Sequence, residues 1–189
     1  MKAAILVRHG ESEANVRQII TCDINGYPLT ARGSRQAEFA ARQLAGLRVS
    51  RLLTSPVQRA VETAAIIAKH TGLVPEIEAG ITESGMGPYN NAHMSGLPPG
   101  SREELGMETW ESHVSRFREV LDSLESTTIL VSHGMPIRAA ISSYLGLDEV
   151  ESFGIEIRNA SISVIDLDSS TVLSVGSLLI SQRIRNLLK

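Results

Sequence analysis

Leu6-Val7-Arg8-His9-Gly10-Glu11 closes an apolar run that begins at Ala3. Five apolar residues that stop abruptly at Arg-His-Gly read as a buried strand delivering two basic side chains at its carboxyl end. Ligands of open α/β sheets bind at the carboxyl ends of strands. The pattern recurs at Thr128-Thr-Ile-Leu-Val-Ser-His133-Gly134, a second strand ending in His-Gly. Two such strands in one sheet can form a two-histidine pocket.

Further strand-like runs lie at Arg51–Thr54 and Val74–Ile77. Amphipathic helical patterns separate them. Ala37, Ala40, Ala41 and Leu44 share one face, and so do Val57, Val61, Ala64 and Ala68. Trp110, Val114, Phe117, Leu121 and Leu124 make a third apolar stripe, which leaves His113 off the stripe and exposed. Strand and helix in alternation predict an α/β fold, with a mainly parallel central sheet flanked by helices on both faces. Ser161–Asp166 and Val172–Ser177 read as a hairpin around Asp168, and Ile180, Ile184, Leu187 and Leu188 suit a final short helix. Ser84–Met107 holds five glycines, three prolines and no period. A loop this long inside a compact domain is usually functional, so it reads as a lid.

Bulk properties narrow the function. The chain of 189 residues suits one catalytic domain spanning 1–189, with its lid at about 84–107. A net charge of −3 gives no electrostatic case for nucleic acid or an anionic membrane. No stretch approaches the roughly 20 apolar residues that span a bilayer, and no signal peptide precedes Arg8. A single cysteine, Cys22, fits a reducing, cytoplasmic setting. Cys22 is followed six positions later by Pro28, which excludes a cysteine-type phosphatase loop, and no Gly-Lys pair offers a P-loop. Neither His-Glu-x-x-His nor Cys-x-x-Cys zinc spacing is present. The two histidines and Glu83 could in principle hold a metal, but flanking arginines would repel a cation, so no metal is expected. The oligomeric state stays open.

Leu-Val-Arg8-His9-Gly10-Glu11 resembles the signature of the histidine phosphatase superfamily, the phosphoglycerate mutase-like family. Pro28-Leu-Thr30-Ala-Arg-Gly33 with Gln36-Ala37, Ser55-Pro56-Val-Gln-Arg59-Ala60 with Thr63-Ala64, and Ser132-His133-Gly134 resemble its further segments, in the family's order. The resemblance implies a three-layer, phosphoglycerate mutase-like sandwich and a phosphohistidine intermediate on His9. It places His133 against the transferring phosphoryl group and makes Glu83 the proton donor, with Glu11 and Glu62 as lesser candidates. Asn15 matches the family spacing Arg-His-Gly-Glu-x-x-x-Asn and Gly134 follows the second histidine; both are expected at the phosphate.

Physical chemistry supports these roles. Attack requires a neutral imidazole, which neighbouring cations favour. Arg8 and Arg59 are a candidate phosphate clamp, because guanidinium groups hold phosphate oxygens bidentately. Ser55 as N-cap and Pro56 in the first helical position would place Arg59 in a helix's first turn at the same sheet end. Arg17 is a candidate for the mouth and His93, in the lid, for contact with substrate, whereas His70 suits the last turn of its helix.

The expected partner is a small-molecule phosphoester, with no cofactor. Ser84–Met107 contains one basic residue, Arg102, followed by Glu103 and Glu104. A substrate carboxylate would then lack a cation, which favours phosphomonoester hydrolysis without metal. The alternative is a cofactor-dependent phosphoglycerate mutase-type phosphotransferase.

Overall fold

A computed structural model describes residues 1–189. The chain runs β1 (Ala3–Arg8), α1 (Glu13–Val16), α2 (Ala31–Leu44), β2 (Arg51–Thr54), α3 (Gln58–Thr71) and β3 (Pro75–Ile77). It continues through three single 3-10 turns to α4 (Trp110–Ser123), β4 (Thr128–Ser132), α5 (Gly134–Leu145), α6 (Glu149–Ser152), β5 (Ile162–Asp166), β6 (Thr171–Ser177) and α7 (Gln182–Leu187). The sheet order is β3-β2-β4-β1-β5-β6. β3, β2, β4 and β1 are mutually parallel, while β5 and β6 are antiparallel additions.

Alternation along β1 divides the core in two. Ala3, Ile5 and Val7 face α2, α3 and α7 through Ala40, Leu44, Ala64, Ile67 and Ile184. Ala4 and Leu6 face α4 and α5 through Phe117, Leu121, Ile137 and Ile141. A strand covered on both faces has no polar position to spare, so its run is continuously apolar.

Two expected helix faces differ in detail. The buried side of α3 is Arg59, Ala60, Thr63, Ala64 and Ile67, not the stripe through Val61 and Ala68. Helix α3 begins at Gln58, with Val57 as an uncapped N-cap, so Ser55 and Pro56 lie in the turn before it. On α4, His113 is fully buried beside Trp110 and Phe117, contrary to the exposed position expected for it. His113 lies three residues after Trp110 and four before Phe117, which is the same helix face.

The register of β1 and β4 builds the site. Val7 pairs with Val131 and Arg8 with Ser132, so His9 and His133 leave adjacent strands side by side. The His9 amide donates to the Ser132 carbonyl at 3.0 Å, tying the two strand ends together. Thr54 pairs with Val131, which brings Ser55 and the start of α3 to the same edge.

Candidate functional site

His9 is buried and its ring is fixed by both nitrogens. Nδ1 lies 2.7 Å from the Gly10 carbonyl, which can only accept, so Nδ1 carries the proton. Nε2 accepts from Arg59 Nε at 3.2 Å and therefore presents its lone pair. Burial first, then His133, Arg59 and Arg8, hold the His9 pKa well below the ordinary imidazole value. The side chain is thus a neutral imidazole with a defined tautomer, the form a nucleophile requires.

His133 is fully buried, with its ring centroid 5.0 Å from that of His9. Ser55 Oγ accepts the Val57 amide hydrogen at 3.2 Å and lies 2.8 Å from His133 Nε2. The hydroxyl proton is then available to Nε2, which leaves the His133 proton on Nδ1. That Nδ1 has no hydrogen-bond partner and lies 3.3 Å from Glu83 Oε2. Burial, followed by Arg59, Arg8 and Arg116, depresses the His133 pKa as well.

The two arginines present further unpaired donors. Arg59 Nη2 donates to the Thr21 carbonyl at 3.0 Å and to Glu83 Oε2 at 3.2 Å, while its buried Nη1 has no partner. Arg8 Nη1 donates to the Ile157 carbonyl at 2.6 Å, and its buried Nε has no partner. Burial, only partly offset by Glu83, lowers the Arg8 pKa. A Cβ added to Gly134 would lie 3.4 Å from Arg8 Nε, so glycine lets the guanidinium approach the start of α5. His133, the N-cap of that helix, makes no side-chain cap bond, and a helix N-terminus favours an anion. Buried donors without acceptors are rare and costly. Arg8 Nε, Arg59 Nη1 and His133 Nδ1 are such donors; Arg8 and Arg59 share the cavity with His9, and His133 stacks edge-on to it, so phosphate oxygens bound there could satisfy them.

Arg8, His9 and Arg59 line a cavity of about 290 Å³, together with Asn15, Thr21, Glu83, Arg102, Arg138 and Gly134, the residue that follows His133. Glu83 Oε1 accepts the Ser84 amide hydrogen at 2.8 Å, and Oε2 faces His133 and Arg59. Asn15 Oδ1 is engaged by Ser12 and Asn159, so its amide NH₂ is what it can offer to the cavity. A larger groove of about 810 Å³ lies on the far side of Arg8, but it contains neither histidine nor Glu83. The smaller cavity is where the reactive groups meet.

Other candidates lie elsewhere. Arg17 is exposed and stacks over Tyr27, and exposed His93 caps a 3-10 turn, both outside the cavity. Glu11 pairs with Arg32 and Thr30 on the groove side. Glu62 accepts from the Leu29 amide and Gln58. His70 lies 2.7 Å from Glu38 in the last turn of α3.

Residues 84–107 form one wall of the cavity through Ser84, Met86, Met94, Leu97, Arg102 and Met107. The segment pairs with the 18–23 loop: Ile20 donates to the Ala92 carbonyl, Met94 to Gln18, and Asn90 and Asn91 bind Asp23. Arg102, counted as neutralised by its acidic neighbours, instead turns inward. Its Nε donates to the Glu108 carbonyl at 2.7 Å and its buried Nη2 has no partner. The sequence reading missed it, and it also missed Arg138, which lines the same cavity.

His9, Glu83 and His133 bring ligand atoms within 4.8 Å of one another. As a metal donor set they fit poorly. Arg59 already donates to both His9 Nε2 and Glu83 Oε2, so a cation there would stand against a guanidinium.

The profile of the Histidine phosphatase superfamily (branch 1) matches residues 4–176. The chain is 39% identical to a 2,3-bisphosphoglycerate-dependent phosphoglycerate mutase of Thermoplasma acidophilum, over 100% of this chain and 98% of that protein. It is 32% identical to the probable phosphoglycerate mutase GpmB of Yersinia enterocolitica, over 93% and 90%. Among solved structures, phosphoserine phosphatase from Entamoeba histolytica, in complex with 3-phosphoglyceric acid, superposes with a TM-score of 0.80 at 23% identity, covering 97% of this chain and 100% of that one. A mycobacterial glucosyl-3-phosphoglycerate phosphatase superposes with a TM-score of 0.76 at 22% identity, covering 88% and 93%. Both likenesses are of fold. A family profile spanning nearly the whole chain, on a sheet that sets two histidines side by side, makes this protein an enzyme of the histidine phosphatase superfamily, branch 1.

Proposed function

We propose that the chain hydrolyses a small acidic phosphomonoester through a phosphohistidine on His9. The observation that carries this reading is three buried, unpartnered N–H donors, on Arg8, Arg59 and His133, beside a His9 whose Nε2 carries no proton. In the first step a phosphate oxygen takes over the Arg59 Nε hydrogen bond, the freed Nε2 lone pair attacks phosphorus, and the bond from phosphorus to the leaving oxygen breaks. Arg8, Arg59 and His133 hold the equatorial oxygens as charge moves onto them. The incoming phosphate competes with Glu83 for Arg59 Nη2, and Glu83 passes its proton to the leaving oxygen. In the second step water attacks phosphorus, Glu83 takes the water's proton, the P–N bond breaks, and inorganic phosphate leaves with His9 restored. Met94 at the cavity rim is 57% exposed, which is consistent with water reaching the intermediate.

Positive charge comes from side chains, so the reaction needs no metal. Activity toward p-nitrophenyl phosphate should survive EDTA; loss on chelation with recovery on adding one divalent ion would contradict this. The free thiol of Cys22 fits a cytoplasmic setting, and no helix is long and apolar enough to cross a membrane.

The inward turn of Arg102 changes the substrate argument. A second anionic group on the substrate would meet Arg102 Nη2 and Arg138, so the expected lack of a cation does not hold. This observation, with the 39% identical relative, also favours a second reading, phosphoglycerate mutase-type transfer. Incubation with 3-phosphoglycerate, with and without 2,3-bisphosphoglycerate, separates the two. Stoichiometric release of inorganic phosphate supports hydrolysis; 2-phosphoglycerate formed without phosphate release, and accelerated by the bisphosphate, supports the mutase.

A further inference from the structure

Glu83 sits on a connection between a 3-10 turn, Ala79–Ile81, and the 84–107 segment, with little regular structure of its own. A catalytic carboxyl on such a loop must be held against the phosphate site from outside. The structure supplies that hold from α4 and the residues just before it. Upstream of Glu83, Arg116 Nη1 donates to the Gly80 carbonyl at 2.8 Å. Immediately downstream, the buried Ser84 hydroxyl is hydrogen-bonded to His113 Nε2. One residue further, Glu108 and Gly85 bond twice: the Glu108 amide donates to the Gly85 carbonyl at 2.8 Å, and the Gly85 amide donates to Glu108 Oε2 at 2.9 Å.

These contacts form one network. Arg116 Nε donates to Glu108 Oε1 at 2.6 Å, and its Nη2 donates to Glu108 Oε2 at 3.2 Å. His113 Nδ1 is 2.6 Å from the Thr109 carbonyl, so the proton is on Nδ1 and Nε2 accepts from Ser84. Burial works to raise the Glu108 pKa, but hydrogen bonds from Arg116 and Gly85 outweigh it and bring the value down to about 2. The bracket is therefore charged and fully bonded across the physiological range. Helix α4 packs on α5, which begins at His133-Gly134. The loop carrying the acid and the helix start that receives the phosphate are thus referenced to one pair of packed helices.

We propose that Glu108, with Arg116 and His113, is a positioning network that fixes the Glu83 carboxyl for proton transfer to the leaving group. The assignment rests on Glu83 being the proton donor. Glu108, Arg116 and His113 hydrogen-bond to the segments flanking Glu83 and do not line the catalytic cavity, so they are positioning residues acting through Glu83.

The test compares single-turnover phosphoryl transfer from an alkyl phosphate and from p-nitrophenyl phosphate, whose leaving group needs little proton help. Glu83→Gln is the reference variant. Glu108→Ala should lose at least about tenfold on the alkyl phosphate and much less on p-nitrophenyl phosphate, since general acid catalysis is worth roughly a hundredfold or more when intact. Vanadate inhibition should stay unchanged, because the phosphate donors are untouched. The double variant should lose little beyond Glu83→Gln, because both changes act through one carboxyl. Ser84→Ala, which leaves the charges in place, provides the same comparison should Glu108→Ala fail to fold. A leaving-group-dependent loss in Glu83→Gln with equal losses on both substrates in Glu108→Ala and Ser84→Ala overturns the positioning network alone. No leaving-group dependence in Glu83→Gln overturns the acid role, and the positioning role with it.

Discussion

Arg59 joins three roles in one planar group: Nε holds the His9 lone pair, Nη2 holds Glu83 and the Thr21 carbonyl, and Nη1 remains for phosphate. A lysine's three donors share one tetrahedral nitrogen and cannot reach these separated partners in the guanidinium's planar fork. Arg59→Lys should therefore lower kcat/KM at least about tenfold, roughly 1.4 kcal/mol of transition-state stabilisation. A near-native value in steady-state assays would remove Arg59 from the clamp. Much of the site was legible from its residues, because Arg8, His9, Arg59 and His133 end strands or begin helices whose direction the apolar runs reveal. The misses have physical causes. His113 was excluded from the buried face of α4 by its polarity, although its angular position beside Trp110 and Phe117 placed it there. Arg102 was judged by its sequence neighbours, but in an aperiodic turn adjacency does not decide facing. Glu104 bonds the Ser101 amide while Arg102 turns inward. Ser55 was read as a helix cap; it does accept the Val57 amide hydrogen, and its second contact, to His133, is a long-range one that no local pattern encodes.

Strands and their order position the site, and the glycine-bearing segments let it close. A Cβ on Gly33 would fall 1.9 Å from the Glu11 carbonyl oxygen, and one on Gly10 would fall 2.4 Å from the Gly33 oxygen. The start of α2 therefore packs backbone against backbone on the loop leaving His9, which explains why Gly10 and Gly33 belong together. Gly33→Ala should cost at least about 2 kcal/mol, as overpacking against rigid backbone does. Gly46→Ala is a useful control, because its cost is a positive φ of 75° in open space, not a clash. Denaturant unfolding gives both numbers, and equal costs would contradict the close-approach account. The parallel strands were readable because burial on both faces leaves a continuous apolar run. The edge strand β3 is the exception: its Ile77 is 60% exposed, and Val74 just before it is 79% exposed. The buried face of α3 was misplaced because its alanines and isoleucines nearly encircle the helix, whereas Arg59 and Thr63 occupy buried positions for chemistry. The 84–107 wall gave no period to read, because its order comes from pairing with the 18–23 loop and not from regular structure.

Folding buries several neutral histidines at once, and this ties the stability of the molecule to pH. His9, His133 and His113 all have folded-state pKa values lowered from 6.5, with burial the largest cause in each case. The unfolded chain therefore binds protons that the folded chain resists. Their contribution is fully present above pH 6.5 and is lost as pH falls through that value toward the folded ones. The Glu108 contribution persists to lower pH, disappearing only as pH falls below 4.5 toward about 2. The melting temperature should therefore drop measurably between about pH 7.5 and pH 5.5, where carboxylates hardly titrate. A flat profile in scanning calorimetry over that interval would contradict neutral burial of the histidines. The convergence of a neutral imidazole with three buried donors makes covalent transfer to His9 the central claim. Its most direct test is rapid quench of the whole enzyme with phosphate-labelled p-nitrophenyl phosphate. The label should be acid-labile and base-stable, should map to His9, and should be absent from His9→Ala. Label retained in His9→Ala, or found in an acid-stable linkage, would contradict the account.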